Sequence, residues 1–308
     1  MVYDVIILGA GPAGLTAAIY ARRANLACLV MEKEYMSGGQ VVNTHEVDNY
    51  PGLPGIGGFE LGMKFHEHAE QMGVSFINIE ARHIGLEKDG RIKVIYTDQE
   101  EYRARAVILA MGAAYRKLGV PGEDSLSGMG VSYCATCDGA FFRNRKVAVV
   151  GGGDVAMEDA LFLARGCGKV YVIHRRDSFR AAPILQSRLR ECENVEILWN
   201  TTVSAMVGSS HLDCLKLKRT DTGEESVLDV DGVFIAVGTV PNTRIVERLL
   251  ELDENGYIVA GETCVTNVPG IFAAGDIRTK QLKQIVTAVS DGANAVESVQ
   301  KYLLQCEQ

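Results

Sequence analysis

Positive charge is in short supply in this sequence: 31 Lys and Arg stand against 39 Asp and Glu, leaving a net charge of -8 over 308 residues. That balance argues against nucleic acid or an anionic membrane as the main partner, since both need a concentrated basic face. Long apolar runs are missing too. The longest stretch free of charged side chains, Val5 to Ala21, contains Gly9, Gly11, Pro12 and Gly14 and starts directly after Asp4, so it makes a poor membrane span. No basic segment precedes an apolar run at the start of the chain, so no secretory leader is expected and the expected location is the cytoplasm.

Cysteine is also sparse, with eight in the chain, far below the density of a disulfide scaffold. Six of them, Cys28, Cys167, Cys192, Cys214, Cys264 and Cys306, stand alone and read as buried or incidental thiols of a reducing compartment. Only Cys134 and Cys137 form a close pair. A structural zinc site would need two further ligands, and no second CxxC or closely spaced His/Cys pair provides them, so no metal is expected.

What the sequence does have is length for two domains, at roughly twice the ~150 residues typical of one, and an internal repeat. The apolar run Tyr3 to Leu8 leads into Gly9-Ala10-Gly11-Pro12-Ala13-Gly14, a helical stretch from Leu15 to Ala24, and a second apolar run from Ala27 to Met31. Strand, glycine turn, helix and strand in this order place a diphosphate at a helix N-terminus. Gly9 permits the tight turn, Gly11 lets the backbone approach the phosphates, and Gly14 lets helix and strand pack closely. Glu32, 23 residues after Gly9 and followed by Lys33, stands where a carboxylate accepts hydrogen bonds from a ribose. The unit reads as a site for FAD or NAD.

The second copy runs from Lys146 to Val150, through Gly151-Gly152-Gly153-Asp154-Val155-Ala156 and a helical stretch to Arg165, into Val170 to Ile173. The copies align without a gap, which implies two dinucleotide sites. They differ at the ribose position, where His174-Arg175-Arg176 and then Arg180 replace Glu32-Lys33. A carboxylate repels a 2'-phosphate, whereas clustered guanidinium groups supply charge and fork-shaped donors, so the second site is expected to take NADPH. The alternative is a solvated basic turn.

Two further segments echo each other, Ala106 to Ala113 ending on Gly112, and Gly232 to Thr239 ending on Gly238. Each reads as a buried strand closed by a glycine turn, and they mark boundaries near residues 115 and 245. Val268 to Asp276 is one more apolar strand, ended by Gly275 and Asp276, and Lys283 to Leu304 has helical spacing. If that strand rejoins the first sheet, Asp276 sits at a strand end beside a helix N-terminus, a place to bind a ribityl hydroxyl.

Cys134-Ala135-Thr136-Cys137-Asp138-Gly139 puts two thiols three residues apart, close enough for a disulfide when a helix turn follows. Amide dipoles there lower a thiol pKa, and Asp138 is placed to move the proton that thiol exchange releases or takes up. Two unreactive buried thiols are the competing reading. A redox-active disulfide is the one that also uses the two nucleotide units on either side.

With these residues in view, the chain resembles the low-molecular-weight thioredoxin reductases over essentially its whole length. The landmarks are Gly9 to Gly14, Ser37-Gly38-Gly39-Gln40, Asn49-Tyr50-Pro51-Gly52, Cys134 to Gly139, Gly151 to Ala156, His174-Arg175-Arg176 and Ala274-Gly275-Asp276. The resemblance implies an α/β protein of two Rossmann-like dinucleotide-binding domains. An NADPH domain, 116–245, carries the redox pair and is inserted into a discontinuous FAD domain, 1–115 and 246–308. It further implies a homodimer, rotation of the NADPH domain between half-reactions, and thioredoxin or a thioredoxin-like protein as partner. Cys137 is similar to the thiol that faces the flavin, Cys134 to the one that attacks the partner, and Asp138 to the acid/base residue.

By the same matching, Glu32, Lys33, Gly39, Gln40, Asn49, Gly112, Gly275, Asp276, Lys283, Gln284 and Ile285 join the first glycine turn around FAD. Gly151, Gly153, Asp154, Val155, His174, Arg175, Arg176 and Arg180 are implied for NADPH. Phe141 and Phe142 stand where family members carry aromatics that pack against thioredoxin, with ordinary core phenylalanines as the alternative. The sequence departs from the family pattern at Met111, Val155 and Lys283; none removes a catalytic group, and Val155 with Ala156, in the second glycine turn, leaves the NADPH site less firmly matched than the FAD site. Rival readings are a relative that takes electrons from reduced ferredoxin, one that oxidises small dithiols with oxygen, a ferredoxin or flavodoxin reductase, and a non-enzymatic redox sensor. The second glycine turn with its arginines counts against the first, and the cysteine pair against the third.

Overall fold

Strand β1 (Val2–Leu8) opens the chain as an apolar run whose last four residues are buried, the pattern of a parallel strand covered on both faces. In the computed structural model, which describes residues 1–308 except His45, Asp48, Asp89, Glu307 and Gln308, it leads into α1 (Pro12–Arg23). Pro12 occupies the first turn, where its missing N–H is no loss, so the helix begins three residues earlier than the apolar spacing predicts. Arg22 and Arg23 close the helix at its negative dipole end.

β2 (Cys28–Glu32) lies parallel to β1, and α2 (Gly58–Gln71) leads into β3 (Ser75–Asn78), which lies parallel to β2. β4 (His83–Leu86), β5 (Lys93–Tyr96) and β6 (Glu101–Leu109) follow, the first two antiparallel to each other, and β5 antiparallel to β6. The chain then forms a short strand, β7 (Ala113–Tyr115).

Next come β8 (Val131–Ser132), α3 (Ala135–Asp138), β9 (Lys146–Gly151), α4 (Asp154–Ala164), β10 (Lys169–Ile173), α5 (Pro183–Arg190) and β11 (Val195–Leu198). Three antiparallel strands, β12 (Thr201–Gly208), β13 (Leu212–Arg219) and β14 (Glu225–Asp229), make a separate sheet, and β15 (Gly232–Ala236) returns beside β9. β16 (Thr239–Pro241) pairs with β7, and β17 (Ile271–Ala273) and α6 (Ile285–Gln305) complete the chain.

Two compact units result, Met1–Ala114 with Val240–Gln308, and Tyr115–Thr239. The first holds a seven-stranded sheet in the order β3-β2-β1-β6-β5-β4, with β17 also on β6. β17 runs parallel to β6, Ile271 opposite Val107, so the last strand does rejoin the first sheet and brings Asp276 with it. The second unit holds a parallel sheet in the order β11-β10-β9-β15-β8. The third-second-first strand order, with the next strand on the far side of the first, occurs in both sheets, as in doubly wound nucleotide folds.

In the first unit α6 packs on α1, where a Cβ on Gly292 would overlap the Ala13 carbonyl. Of the lone cysteines, Cys28, Cys167 and Cys264 are buried, and burial pushes the Cys28 thiol up to about 11 and that of Cys264 to about 12. Among the described residues no helix is long and apolar enough to cross a membrane, and no group of His, Cys, Asp and Glu is arranged to hold a metal.

Candidate active site

The first glycine turn has the backbone geometry its composition demands. Gly9 sits at φ +104°, and a Cβ there would overlap the Ala110 carbonyl, while one on Gly14 would overlap the Gly9 carbonyl. Gly11 instead faces Gly39 across a gap, with the two backbones approaching and no side chain between them. Pro12 and Ala13 begin α1 behind this gap, and the Gly38 N–H donates to the Ala10 carbonyl at 2.7 Å. Glu32 closes the turn: its Oε2 accepts the Ala10 N–H at 2.7 Å and its Oε1 the Glu34 N–H at 3.0 Å. Each carboxylate oxygen keeps a further lone pair. Lys33 is exposed beside Glu34, and Gln40 is exposed in the 3-10 turn Gly39–Asn43.

Residues far apart in the chain meet in the same unit. Gly275 packs against Ala13, and its N–H donates to Asp291 Oδ2 at 2.8 Å. Asp276 follows, and its Oδ1 is buried with no hydrogen-bond partner. Burial pushes its carboxyl above the usual range, with the charges of Lys280 and Lys283 acting the other way. An unsatisfied carboxylate oxygen is costly unless a donor arrives, so this atom fits a ligand hydroxyl. Asn49 donates to Gln284 Oε1 at 2.9 Å, and Gln284 caps α6 through a capping box with Thr287, with Ile285 beginning the helix. Lys283 lies over the Tyr257 ring, 3.6 Å from its centroid. Gly112, at φ +64°, is held by Asn242, whose N–H donates to the Gly112 carbonyl and whose side chain donates to Met111 O. Bare glycine backbone, a helix N-terminus, an acidic residue ending β2 and the orphan oxygen of Asp276 together suit a dinucleotide bearing a polyhydroxyl chain.

In the second unit a Cβ on Gly151 would meet the Ala236 carbonyl, whereas Gly153, which precedes α4, faces open space. Arg175, Arg176 and Arg180 are exposed beside the turn, and the Arg180 N–H donates to the Gly152 carbonyl at 2.9 Å. His174 does not share their situation. Its ring is buried directly under Gly152, bonded through Nε2 to the Ser178 carbonyl at 3.0 Å and packed with Phe179 and Trp199. Burial holds its pKa below the ordinary histidine value, so it stands as a neutral prop under the turn. Asp154 accepts the Ala182 N–H at 2.7 Å, which ties α4 to the start of α5, and Val155 is exposed on the first turn of α4.

Cys134 and Cys137 form a disulfide, with Cα atoms 5.3 Å apart. Cys134 caps α3 and its carbonyl accepts the Cys137 and Asp138 N–H groups at 3.2 and 3.1 Å. Cys134 Sγ lies 3.4 Å from the Thr136 hydroxyl. Ser132, the last residue of β8, donates to Asp138 Oδ2 at 2.6 Å and accepts the Cys134 N–H at 3.1 Å. Gly139 lets this turn sit against Phe162 and Leu163 of α4. The two phenylalanines that follow separate: Phe141 is exposed, while Phe142 packs edge-on against Phe234 in the core.

Two doubly wound nucleotide units and one disulfide held at a helix start define an oxidoreductase that links a nucleotide to a dithiol. The chain belongs to the pyridine nucleotide-disulphide oxidoreductase family, whose model matches residues 3–292. It is 50% identical over 304 residues to the thioredoxin reductase of Listeria innocua, covering 98% of this chain and 94% of that protein. It superposes on the thioredoxin reductase of Streptococcus pyogenes with a TM-score of 0.94 at 44% identity, covering 99% of each chain. Against the Lactococcus lactis thioredoxin reductase in its FR conformation the TM-score is 0.68 at 42% identity, over 98% of this chain and 99% of that one. Family membership carries with it the use of a flavin and a nicotinamide nucleotide.

Several residues of these sites carry no motif. Asn78 donates to the Glu34, Glu32 and Lys33 carbonyls at 2.6, 3.1 and 3.3 Å, which supports the segment after β2. Asp291 sits within α6, and Asn242 in a loop, where spacing says nothing of them. Ser132 stands just before the cysteine pair, and its closeness to Asp138 was the one available signal.

Proposed function

We propose that this chain is an NADPH-dependent flavoprotein that reduces the disulfide of thioredoxin through FAD and the Cys134/Cys137 pair. The observation that carries the reading is the disulfide at the start of α3, with Asp138 tied beside it, in the same unit as a glycine turn and the exposed Arg175, Arg176 and Arg180. Glu32, Asp276, Gln40, Asn49 and Gln284, with the backbone of Gly9 to Gly14, would hold FAD. The three arginines would take the 2'-phosphate of NADPH in charge-assisted, fork-shaped contacts. FAD, when bound, supplies the route by which a hydride from NADPH becomes two electrons for the disulfide.

The chain's own residues then carry the exchange. Cys134 loses its proton and attacks one sulfur of the partner disulfide, whose S–S bond breaks; the sulfur released takes up the proton. Cys137 loses its proton to Asp138 and attacks the Cys134 sulfur. The mixed disulfide breaks, the second partner sulfur leaves, and Asp138 protonates it. Two electrons and two protons pass from the pair to the partner, and Asp138 ends as it began.

A disulfide lying against the flavin is not at the same time open to a protein partner, so we include rotation of the nucleotide unit between half-reactions. β7 and β16, three residues each, are the segments on which it would turn. A cytoplasmic homodimer completes the proposal, supported by the resemblance to the thioredoxin reductases; a monomer in sedimentation at working concentration would remove the dimer from it.

The test is anaerobic titration of the flavin-loaded protein with NADPH, NADH and reduced ferredoxin in turn, with disulfide-form thioredoxin added last. Bleaching by NADPH and reoxidation by thioredoxin are expected, and the Arg175→Ala, Arg176→Ala double variant should lose its response to NADPH far more than to NADH. A flavin that ignores NADPH and responds to ferredoxin would replace the donor. Thioredoxin reduction retained by Cys134→Ser would end the thiol relay.

A further inference from the structure

Asp138 needs a fixed place if it is to take a proton from one thiol and return it to another sulfur, because α3 is a single turn and contributes little rigidity of its own. The fixed point next to it is Ser132. This residue ends β8, a strand hydrogen-bonded into the parallel sheet with Ser132 opposite Phe234, and it is 6% exposed.

The hydroxyl has one hydrogen and two acceptors in reach, Asp138 Oδ2 at 2.6 Å and the Cys134 carbonyl at 3.4 Å. The nearer, charged acceptor takes it, and the Cys134 carbonyl already accepts two backbone N–H groups. The same oxygen accepts the Cys134 N–H at 3.1 Å. One buried atom thus joins the main chain of the attacking cysteine to the carboxylate of the proton carrier.

We propose that Ser132 is a positioning residue for thiol exchange: its hydroxyl holds one oxygen of the Asp138 carboxylate beside the cysteine pair and supplies a donor that favours its ionised form. The proposal rests on the thioredoxin-reducing reading and on Asp138 as the proton carrier. Ser132 touches no reacting sulfur, and its effect passes through Asp138.

The experiment follows the two half-reactions of the flavin-loaded, full-length protein separately in a stopped-flow instrument. Ser132→Ala is expected to bleach with NADPH at the wild-type rate but to reduce thioredoxin about tenfold more slowly at neutral pH, the scale of one lost charge-assisted hydrogen bond. The carboxylate loses a short hydrogen bond to its ionised form, so the acidic side of the pH profile should move to higher pH. Ser132→Thr, which keeps the hydroxyl, should restore most of the rate. In an Asp138→Asn background the alanine change should cost nothing further, because the residue acts through the group already removed.

Equal slowing at every pH, or full additivity with Asp138→Asn, would assign Ser132 a structural role only and overturn the proposal. So would a Ser132→Ala protein as fast as wild type. If alanine prevents accumulation of a flavoprotein, Ser132→Thr and Ser132→Val, which differ only in hydroxyl against methyl, carry the same comparison. A wild-type protein that fails to reduce thioredoxin defeats the underlying reading; a competent wild type with an unmoved Ser132→Ala profile defeats this inference alone.

Discussion

Asp159 lies on α4, and burial, followed by the charge of Glu158, pushes its carboxyl up to about 7. The folded state therefore binds this proton more tightly than the unfolded chain, where the ordinary value is 3.8. Stability contributed by the protonated form is complete below the unfolded value and is lost as pH rises from there through about 7. Asp159→Asn, which has no proton to lose, is expected to unfold later than wild type above that window, by on the order of 2–4 kcal/mol, and to differ little from it at strongly acidic pH. Urea unfolding at both pH values checks this, and a pH-independent difference would mean the carboxyl is solvated. The same scale shows what a motif conveys. His174, Arg175 and Arg176 are neighbours in sequence, yet the arginines face solvent and the histidine fills the space under Gly152. A strand end followed by a turn alternates what it buries, and residue type alone does not say which member of a polar run goes inside.

At the scale of elements, the strand-turn-helix units were legible because parallel strands need unbroken apolar runs and the turn needs glycine. The support of the turn that presents Asp276, in the proposed flavin site, was not. Asp291 of α6 accepts from Arg278 Nε at 2.8 Å and Nη2 at 2.6 Å, from Lys280 at 2.9 Å, and from the Gly275 N–H, so one carboxylate locks α6 to the turn that presents Asp276. Burial works against its charge, but Arg278 and Lys280 hold its carboxyl below the usual range. Stability from this cluster is present above the ordinary carboxylate value and is lost as pH falls through the lowered one. Asp291→Asn leaves two buried cations without their counter-charge, and a loss of about 3–5 kcal/mol is expected, with less flavin retained per chain. Thermal melts and the flavin-to-protein absorbance ratio measure both; full flavin content at unchanged stability would show that the cluster does not support the turn. A single Asp on a helix that also carries Glu297 and Lys301 conveys no such message, since its partners come from the loop before α6.

At the scale of the molecule, the chain leaves its first unit within β7 and re-enters it within β16, and these two strands pair with each other. If they are the pivot for rotation, a non-reducible crosslink between the units is expected to abolish steady-state thioredoxin reduction while leaving at least one half-reaction intact in a single turnover. Full turnover of the crosslinked protein would exclude the motion. The repeat of the glycine turn, its acidic and basic versions, and the CxxC with its following Asp are local: each demands particular residue types within a few positions, for steric or electrostatic reasons that hold wherever the segment lies. They determined the fold class and the chemistry from sequence alone. The return of β17 to β6, the clasp of Asp291 on Gly275, the burial of His174 and the hydroxyl link from Ser132 to Asp138 were decided only by tertiary structure. Each depends on which side chains meet in space and which hydrogen-bond partners burial leaves them, and spacing along the chain does not encode either.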